Sequence, residues 1–388
     1  MFSKWLRKIP LAWHQLRKEK TRLLVAIAGI GFADMLIFIQ LGFNDSLYDG
    51  ATQTQSLLQA DLVTINRQFE SLSTLKSFPR ERLYQTLANS SVASVSSIYI
   101  GRGEWKNPAT RIDRTILIWG IDPNAPSFAV PEIQQNAKRL QVLNTALFDR
   151  ASRPEYGAIA DAIQKQGSIE VELNRQNIQA IGLFRIGASF AADGNVIIGD
   201  STFLKLLSDR RSNQIEIGLI QLKPGTNPET VKAQLTASLP NDVRVMTPQE
   251  FAEVEKYYWE SQGAIGFIFG LGVIVGIIVG IVIVYQILYT DVANHLPEYA
   301  TLKAMGYSDR YLLGVLIQES IILAILGYIP GFLISLGLYE LAAAVILMPI
   351  GMKIERAIFV LILTFVMCSI SGAIAMQKLR SADPADVF

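Results

Sequence analysis

Between Gly263 and Tyr289 the sequence reads GAIGFIFGLGVIVGIIVGIVIVYQILY and contains no charged side chain. At about 1.5 Å per residue, a helix of this length crosses the roughly 30 Å hydrocarbon core of a bilayer. Gly266, Gly270, Gly272, Gly276 and Gly280 lie inside it. Each destabilises a helix by about 1 kcal/mol relative to Ala, which implies a packing use for them. Small residues four apart form a stripe along which two helix backbones approach closely in lipid. Gly272, Gly276 and Gly280 drift only about 40° per step and stay on one side, whereas Gly266 and Gly270 form an offset row. The stripe has two candidate partners, another span of the same chain and a second copy of the protein.

The apolar run passes into TDVANHLPEYATLKAMGYSDRYLL. Pro297 permits a new helix to start, Glu298 to Met305 are strong helix formers, and Gly306 is a natural stop, which predicts a short helix between two spans. EYATLKAMG resembles the cytoplasmic coupling helix of the FtsX/MacB superfamily of ABC-transporter permeases, and the longer HLPEYATLKAMGYSDRYL resembles the DevC permeases of cyanobacterial exporters. The resemblance implies contact with a separate ATPase through Glu298, Tyr299, Leu302, Lys303, Met305 and Gly306. His295, beside this segment, is either a polar loop residue or a pH-sensing one.

Apolar residues make up 50% of the 388 and charged residues 18%, richer and poorer respectively than an ordinary soluble chain. A net charge of +1 with no basic patch among aromatics gives no sign of a nucleic-acid partner. Cys368 is the one cysteine, so neither an intrachain disulfide nor a cysteine zinc site can form. Residues 1–22 carry Lys4, Arg7, Lys8, Arg17, Lys18, Lys20 and Arg22 with Trp5 and Trp13 near helical spacing, the pattern of an amphipathic helix on the cytoplasmic membrane surface. Residues 23–43 form the first span, too long for a signal-peptide core and without a convincing cleavage site. The basic excess before it places the N-terminus inside the cell. Asp34 within this span costs about 3 kcal/mol, which its apolar neighbours outweigh. It is either a functional carboxylate or one bonded to a polar group of a neighbouring helix. Glu319, in the third span, is the other intramembrane acid.

Residues 44–262 form the outer, soluble region. Strand patterns occur at 61–65, 92–101, 114–121, 168–172, 195–198, 215–222 and 243–246, and helical ones at 79–88 and 228–238. The expectation is a large α+β domain between spans one and two, with 122–213 as a second subdomain. Its two subdomains resemble the periplasmic region of MacB-type permeases. Thr247, Pro248 and Glu250 compose a capping box that opens a helix running without a breaker toward the Gly263 span. The same reasoning extends the first span outward through 44–59, giving two stalk helices, with Tyr257, Tyr258 and Trp259 as interfacial anchors.

The second span is 263–290, the cytoplasmic coupling segment 291–310 and the third span 311–350. A straight helix over the last of these would be about 60 Å long, so a break is expected at 327–331, GYIPG. QESIILAILGYIPG resembles the third span of the superfamily. The fourth span is 357–376, and 377–388 with Lys378 and Arg380 is a cytoplasmic tail, LRSADPADVF, which also resembles the superfamily's end.

No GxxxxGK[ST], HExxH or GxSxG sequence occurs, so nucleotide binding by a P-loop and the commonest hydrolase chemistries are not expected. The chain reads as a non-enzymatic, homodimeric permease subunit without cofactor of its own, in the bacterial inner membrane and in contact with its lipids. The resemblance implies an ABC ATPase, a periplasmic membrane-fusion adaptor and, through it, a TolC-like outer-membrane duct as partners, with lipid or glycolipid as cargo, and it favours a second copy of the chain as the partner of Gly272, Gly276 and Gly280. Two rivals remain: an FtsX-like regulator of a cell-wall hydrolase that transports nothing, and a membrane-anchored ligand sensor. The topology, with both ends cytoplasmic, is open to direct test. In a Cys368→Ser background, the thiol of Ser381→Cys should react with an impermeant maleimide only after permeabilisation, and labelling of intact cells would refute it.

Overall fold

The computed structural model describes residues 20–189, 191–262, 264–295, 297, 301, 305–346 and 350–381. The amphipathic segment expected over 1–22 thus lies outside the described residues up to its last three positions. Four helices are long and apolar enough to cross a membrane: Lys20–Ser56, Gly266–Asn294, Leu313–Ala343 and Ile354–Ala375. The chain divides into one unit of 1–46, 264–346 and 350–388 and a second of 47–263 and 347–349.

In the first unit the helices are α1 (Lys20–Ser56, which continues into the second), α8 (Ala264–Asn294), α9 (Asp309–Ile346) and α10 (Ile354–Ser381). Helices are dictated here because hydrocarbon offers no partner for an open N–H or C=O. Ala26 and Ile30 of α1, Val284 and Leu288 of α8, Leu323 and Ala324 of α9, and Cys368 and Ala375 of α10 make a common core. The break expected at 327–331 is absent, since α9 continues through Pro330. The glycines on either side of that proline receive α1: a Cβ at Gly331 would lie 2.8 Å from the Gly31 carbonyl oxygen, and one at Gly31 would lie 3.2 Å from that of Gly327. GYIPG is therefore a close-approach site, and a break would have stranded further backbone groups in lipid.

The second unit is built on a nine-stranded sheet. Its strands are β1 (Leu62–Asn66), β3 (Val92–Lys106), β4 (Asp113–Ile121), β5 (Thr145–Asp149), β6 (Ile169–Leu173), β7 (Gln176–Phe184), β8 (Asn195–Gly199), β10 (Ile217–Leu222) and β11 (Val243–Met246). β2 (Phe78–Pro79) and β9 (Gln214–Ile215) form a separate pair. The order is β11-β1-β10-β3-β4-β8-β5-β7-β6. β3 also pairs with β6 at Trp105↔Leu173 and Lys106↔Glu172, which closes β3-β4-β8-β5-β7-β6 into a ring. The strands expected to stand apart within 122–213 thus continue the same sheet through the parallel β4–β8 pairing.

Both faces of the sheet are covered, and side chains alternate between two cores as the pleat requires. Leu62, Tyr99, Ile116, Ile118, Phe148 and Ile198 enter one; Val63, Ile98, Ile100, Leu117, Trp119 and Ile197 enter the other. The short helices α2 (Arg80–Gln85), α3 (Pro131–Asn136), α4 (Ile159–Gln166) and α5 (Asp200–Leu206) and the longer α6 (Pro228–Ser238) and α7 (Pro248–Gln262) pack on these faces. The start of α6 is fixed by Asn227, whose side chain accepts from the Glu229 N–H at 2.9 Å. α7 has the expected capping box: Glu250 N–H donates to Thr247 Oγ1 at 3.2 Å, and Thr247 N–H to Glu250 Oε2 at 2.9 Å.

Candidate functional site

Three groups of residues bear on function. The first is the glycine stripe of α8. A Cβ at Gly272 would strike the Gln40 side chain, one at Gly276 would lie 2.8 Å from Ile37 Cγ1, and one at Gly280 would strike Met367 and lie 3.2 Å from Ala33 Cβ. The stripe is thus occupied within the chain, by α1 along its length and by α10 at Gly280. The opposite side of α8, with Phe267, Leu271, Ile274 and Ile278, is exposed.

The second group is the polar set inside the helix bundle. Asp34 is fully buried and accepts from Thr364 Oγ1 of α10 at 2.7 Å. Arg356 is tied to Asp45 of α1, Nε to Oδ2 at 3.1 Å, and Nη1 donates to the Gly351 carbonyl at 3.0 Å. Toward the other ends of α1 and α8, Arg22 and Asp291 lie 3.5 Å apart, and the His295 ring, buried rather than in an open loop, is also 3.5 Å from the Asp291 carboxylate. Glu319 is fully buried on α9, and among the described residues neither of its oxygens has a hydrogen-bond partner. Of the coupling residues, Glu298, Tyr299, Leu302 and Lys303 lie outside the described residues. Met305 N–H donates to the Thr301 carbonyl at 3.0 Å, and Gly306 has φ +93°, where a side chain would be strained.

The third group escaped the sequence reading. Glu255 of α7 is 1% exposed, and among the described residues no cation pairs with it. Its Oε2 accepts from Gln55 Nε2 of α1 at 3.2 Å and from the Leu72 N–H at 2.8 Å, and its Oε1 accepts from Trp259 Nε1 at 2.9 Å. Burial pushes its pKa up to about 7, against the opposing pull of the Trp259, Leu72 and Gln55 donors. Trp259 is thereby engaged by a carboxylate of the soluble unit. Asp149, also buried, gathers the Gly187 N–H at 2.7 Å, the Ala151 N–H at 2.9 Å and Asn195 Nδ2 at 3.0 Å, and burial raises its pKa as well. Among the described residues no group of three or more His, Cys, Asp or Glu could hold a metal ion.

Two outcomes follow from this geometry. Gly276→Leu forces a side chain into the Ile37 contact and should cost about 1–3 kcal/mol, read as a lower melting temperature of the detergent-solubilised chain. Leu271→Ile, on the exposed side, should change little, and a parental melting curve for Gly276→Leu would dispose of the packing role. For Glu255 the folded pKa lies above the unfolded one, so its contribution is full below about pH 4.5 and is lost as pH rises through about 7. The stability difference between parent and Glu255→Gln should therefore shift over that window, in favour of the variant at the alkaline end. A difference that does not vary with pH would contradict the assignment.

Residues 265–384 match the family described as FtsX-like permease C-terminal, a stretch that takes in all of α8 but its first residue, the coupling segment, α9 and all of α10. No curated protein matches the sequence. Among solved structures, the periplasmic region of MacB from Actinobacillus actinomycetemcomitans is similar at 12% identity and TM-score 0.35, covering 51% of this chain and 93% of that one. The extracellular domain of the noncanonic ABC-type transporter YknZ from Gram-positive bacteria is similar at 12% identity and TM-score 0.32, covering 48% and 99%. The C-terminal part of the chain thus carries the sequence pattern of an FtsX-like permease domain.

Proposed function

We infer that the chain is the permease subunit of an ABC-type exporter of the bacterial inner membrane. The observation that carries this reading is the match of 265–384 to the FtsX-like permease C-terminal family, over three apolar helices and the EYATLKAMG segment between two of them. ATP is hydrolysed on a separate subunit, which docks on the coupling segment from the cytoplasm. Two copies of the permease work together, with 47–263 on the periplasmic side between spans one and two. α1 supports a mechanical mode of action, being one uninterrupted helix from Lys20 to Ser56. Motion of the ATPase passes along such helices to the outer domain, which engages a membrane-fusion adaptor and, through it, an outer-membrane duct. Lipid or glycolipid is the cargo implied by the DevC resemblance. The broad soluble unit favours this export role over that of an FtsX-like hydrolase regulator, whose outer domain is smaller.

At i, i+4 and i+7 spacing in the sequence, Glu298, Leu302 and Met305 would share one face of the coupling helix we propose. Leu302→Asp should leave the purified complex hydrolysing ATP while export falls at least tenfold. Normal export by a well-expressed Leu302→Asp variant would remove the coupling argument.

A further inference from the structure

β11 ends the nine-stranded sheet and pairs on one side only, with β1. The opposite end of the sheet is tied back to β3, so among the described residues β11 carries the sheet's wholly unpaired edge. Arg67 N–H donates to the Asp242 carbonyl at 2.9 Å, and the register places Ile65 opposite Arg244. By the alternation of an antiparallel ladder, Arg244 and Met246 bond to β1, and the Val243 carbonyl and both backbone groups of Val245 are on the open side.

Val243 and Val245 are each 8% exposed, and both line a groove beside the strand. The groove has a volume of about 980 Å³ and is walled by Lys232, Thr236 and Ala237 of α6 and by Glu253, Val254 and Tyr257 of α7. Tyr257 is 71% exposed at its margin. Lys232 Nζ meets Glu250 Oε1 at 2.7 Å, joining the two walls at one end and neutralising both charges. Two further cations line the groove, Arg67 and Arg244. Arg67 donates to Asn241 Oδ1 at 3.1 Å and Arg244 to the Phe69 carbonyl at 2.6 Å, and among the described residues neither meets a carboxylate. The Arg244 charge is disfavoured first by burial and then by Arg67 beside it. Glu253 of α7 also lines the groove and, among the described residues, pairs with neither guanidinium, so the two arginines together leave the groove positive and complementary to an anion, and a flat carboxylate suits their geometry.

We propose that the edge of β11 takes an extended acidic peptide segment of a partner protein as an added strand, with a carboxylate side chain held by Arg67 and Arg244. Main-chain pairing at Val243 and Val245 supplies affinity, and the arginines select charge and register. The four residues of β11 limit the paired length to about 13 Å. The inference rests on the soluble unit alone and stands whether or not the chain transports anything.

The probe is a fluorescein-labelled nine-residue peptide of alternating valine and glutamate, titrated by anisotropy onto the full chain in detergent micelles. It should bind saturably. A valine-lysine peptide, the same peptide N-methylated at every second residue, and the Arg67→Gln/Arg244→Gln variant should each show binding at least tenfold weaker. The N-methylated probe alters no residue of the protein, so its result does not depend on how the variant folds. Absence of saturable binding by the valine-glutamate peptide overturns the proposal. So does undiminished binding of the N-methylated form, which would reveal a bare anion site. Binding of phosphatidylglycerol vesicles through the same arginines, with no peptide binding, would identify a lipid headgroup site instead and also overturn it.

Discussion

In hydrocarbon, a helix gains nothing by hiding apolar side chains from water, so what brings helices together is how nearly their backbones can approach. Gly31 facing Gly327 and Gly331, and Gly272, Gly276 and Gly280 facing Gln40, Ile37 and Ala33, give α1 two such seams, one on α9 and one on α8. α10 packs on both α8 and α9 as well, with Ser371 Oγ donating to the Ile281 carbonyl and Tyr328 Oη to the Ala357 carbonyl, each at 2.9 Å. Asp34 lies beside the first seam and accepts from Thr364, so a buried hydrogen bond also joins α1 to α10. Arg356 and Asp45 connect α10 to α1 further along. Each polar contact joins groups that would otherwise have to be desolvated unpaired.

The soluble unit solves the opposite problem. Its sheet has two apolar faces, and the helices that cover them must be held in fixed positions by polar groups that water cannot reach. Asp149 and Glu255 do this as carboxyl groups ringed by N–H donors, with no ion pair among the described residues. Burial raises both pKa values in spite of these bonds, so the donors offset only part of the cost of the charge, and each is fixed by the requirement to point at the carboxyl group. Two donors of Glu255, Gln55 and Leu72, are distant from it in sequence and the third, Trp259, lies one turn along α7, so a single side chain fixes the end of α1 and a loop against α7.

The long apolar helices were legible because charge-free runs of membrane length admit few alternatives, and the capping box of α7 was legible because its signal is local. Glycines four apart make a packing stripe in span two, whereas in GYIPG the same spacing encloses Pro330, whose local preference predicts a break. Proline's local preference lost to the cost of opening a helix in lipid. β5 and the whole of β7 lie outside the strand patterns of the sequence, as TALFD and QNIQAIGLF combine buried runs with weak alternation, a pattern that periodicity cannot distinguish from other buried segments. That 122–213 joins the main sheet was not readable either, since pairing of β4 with β8 is a contact between positions far apart in sequence. Glu255 gave no local signal: within EFAEVEKYYWE it is one acid among several, and only the fold selects which one is buried.

β3 is 15 residues long, about 50 Å of extended chain, and it is bonded to β10 near its start, to β4 over nine successive positions and to β6 at its end. A pull along this strand cannot peel one bond at a time, because the β4 ladder is loaded in shear and its bonds must yield together. A one-residue slip is equally obstructed, as it would turn Tyr99, Trp105 and every other inward side chain to the wrong face. β3 therefore behaves as a tie rod: displacement imposed at Val92 is delivered at Lys106 with little lost to stretching, and the ring closed by β6 moves as one piece with it.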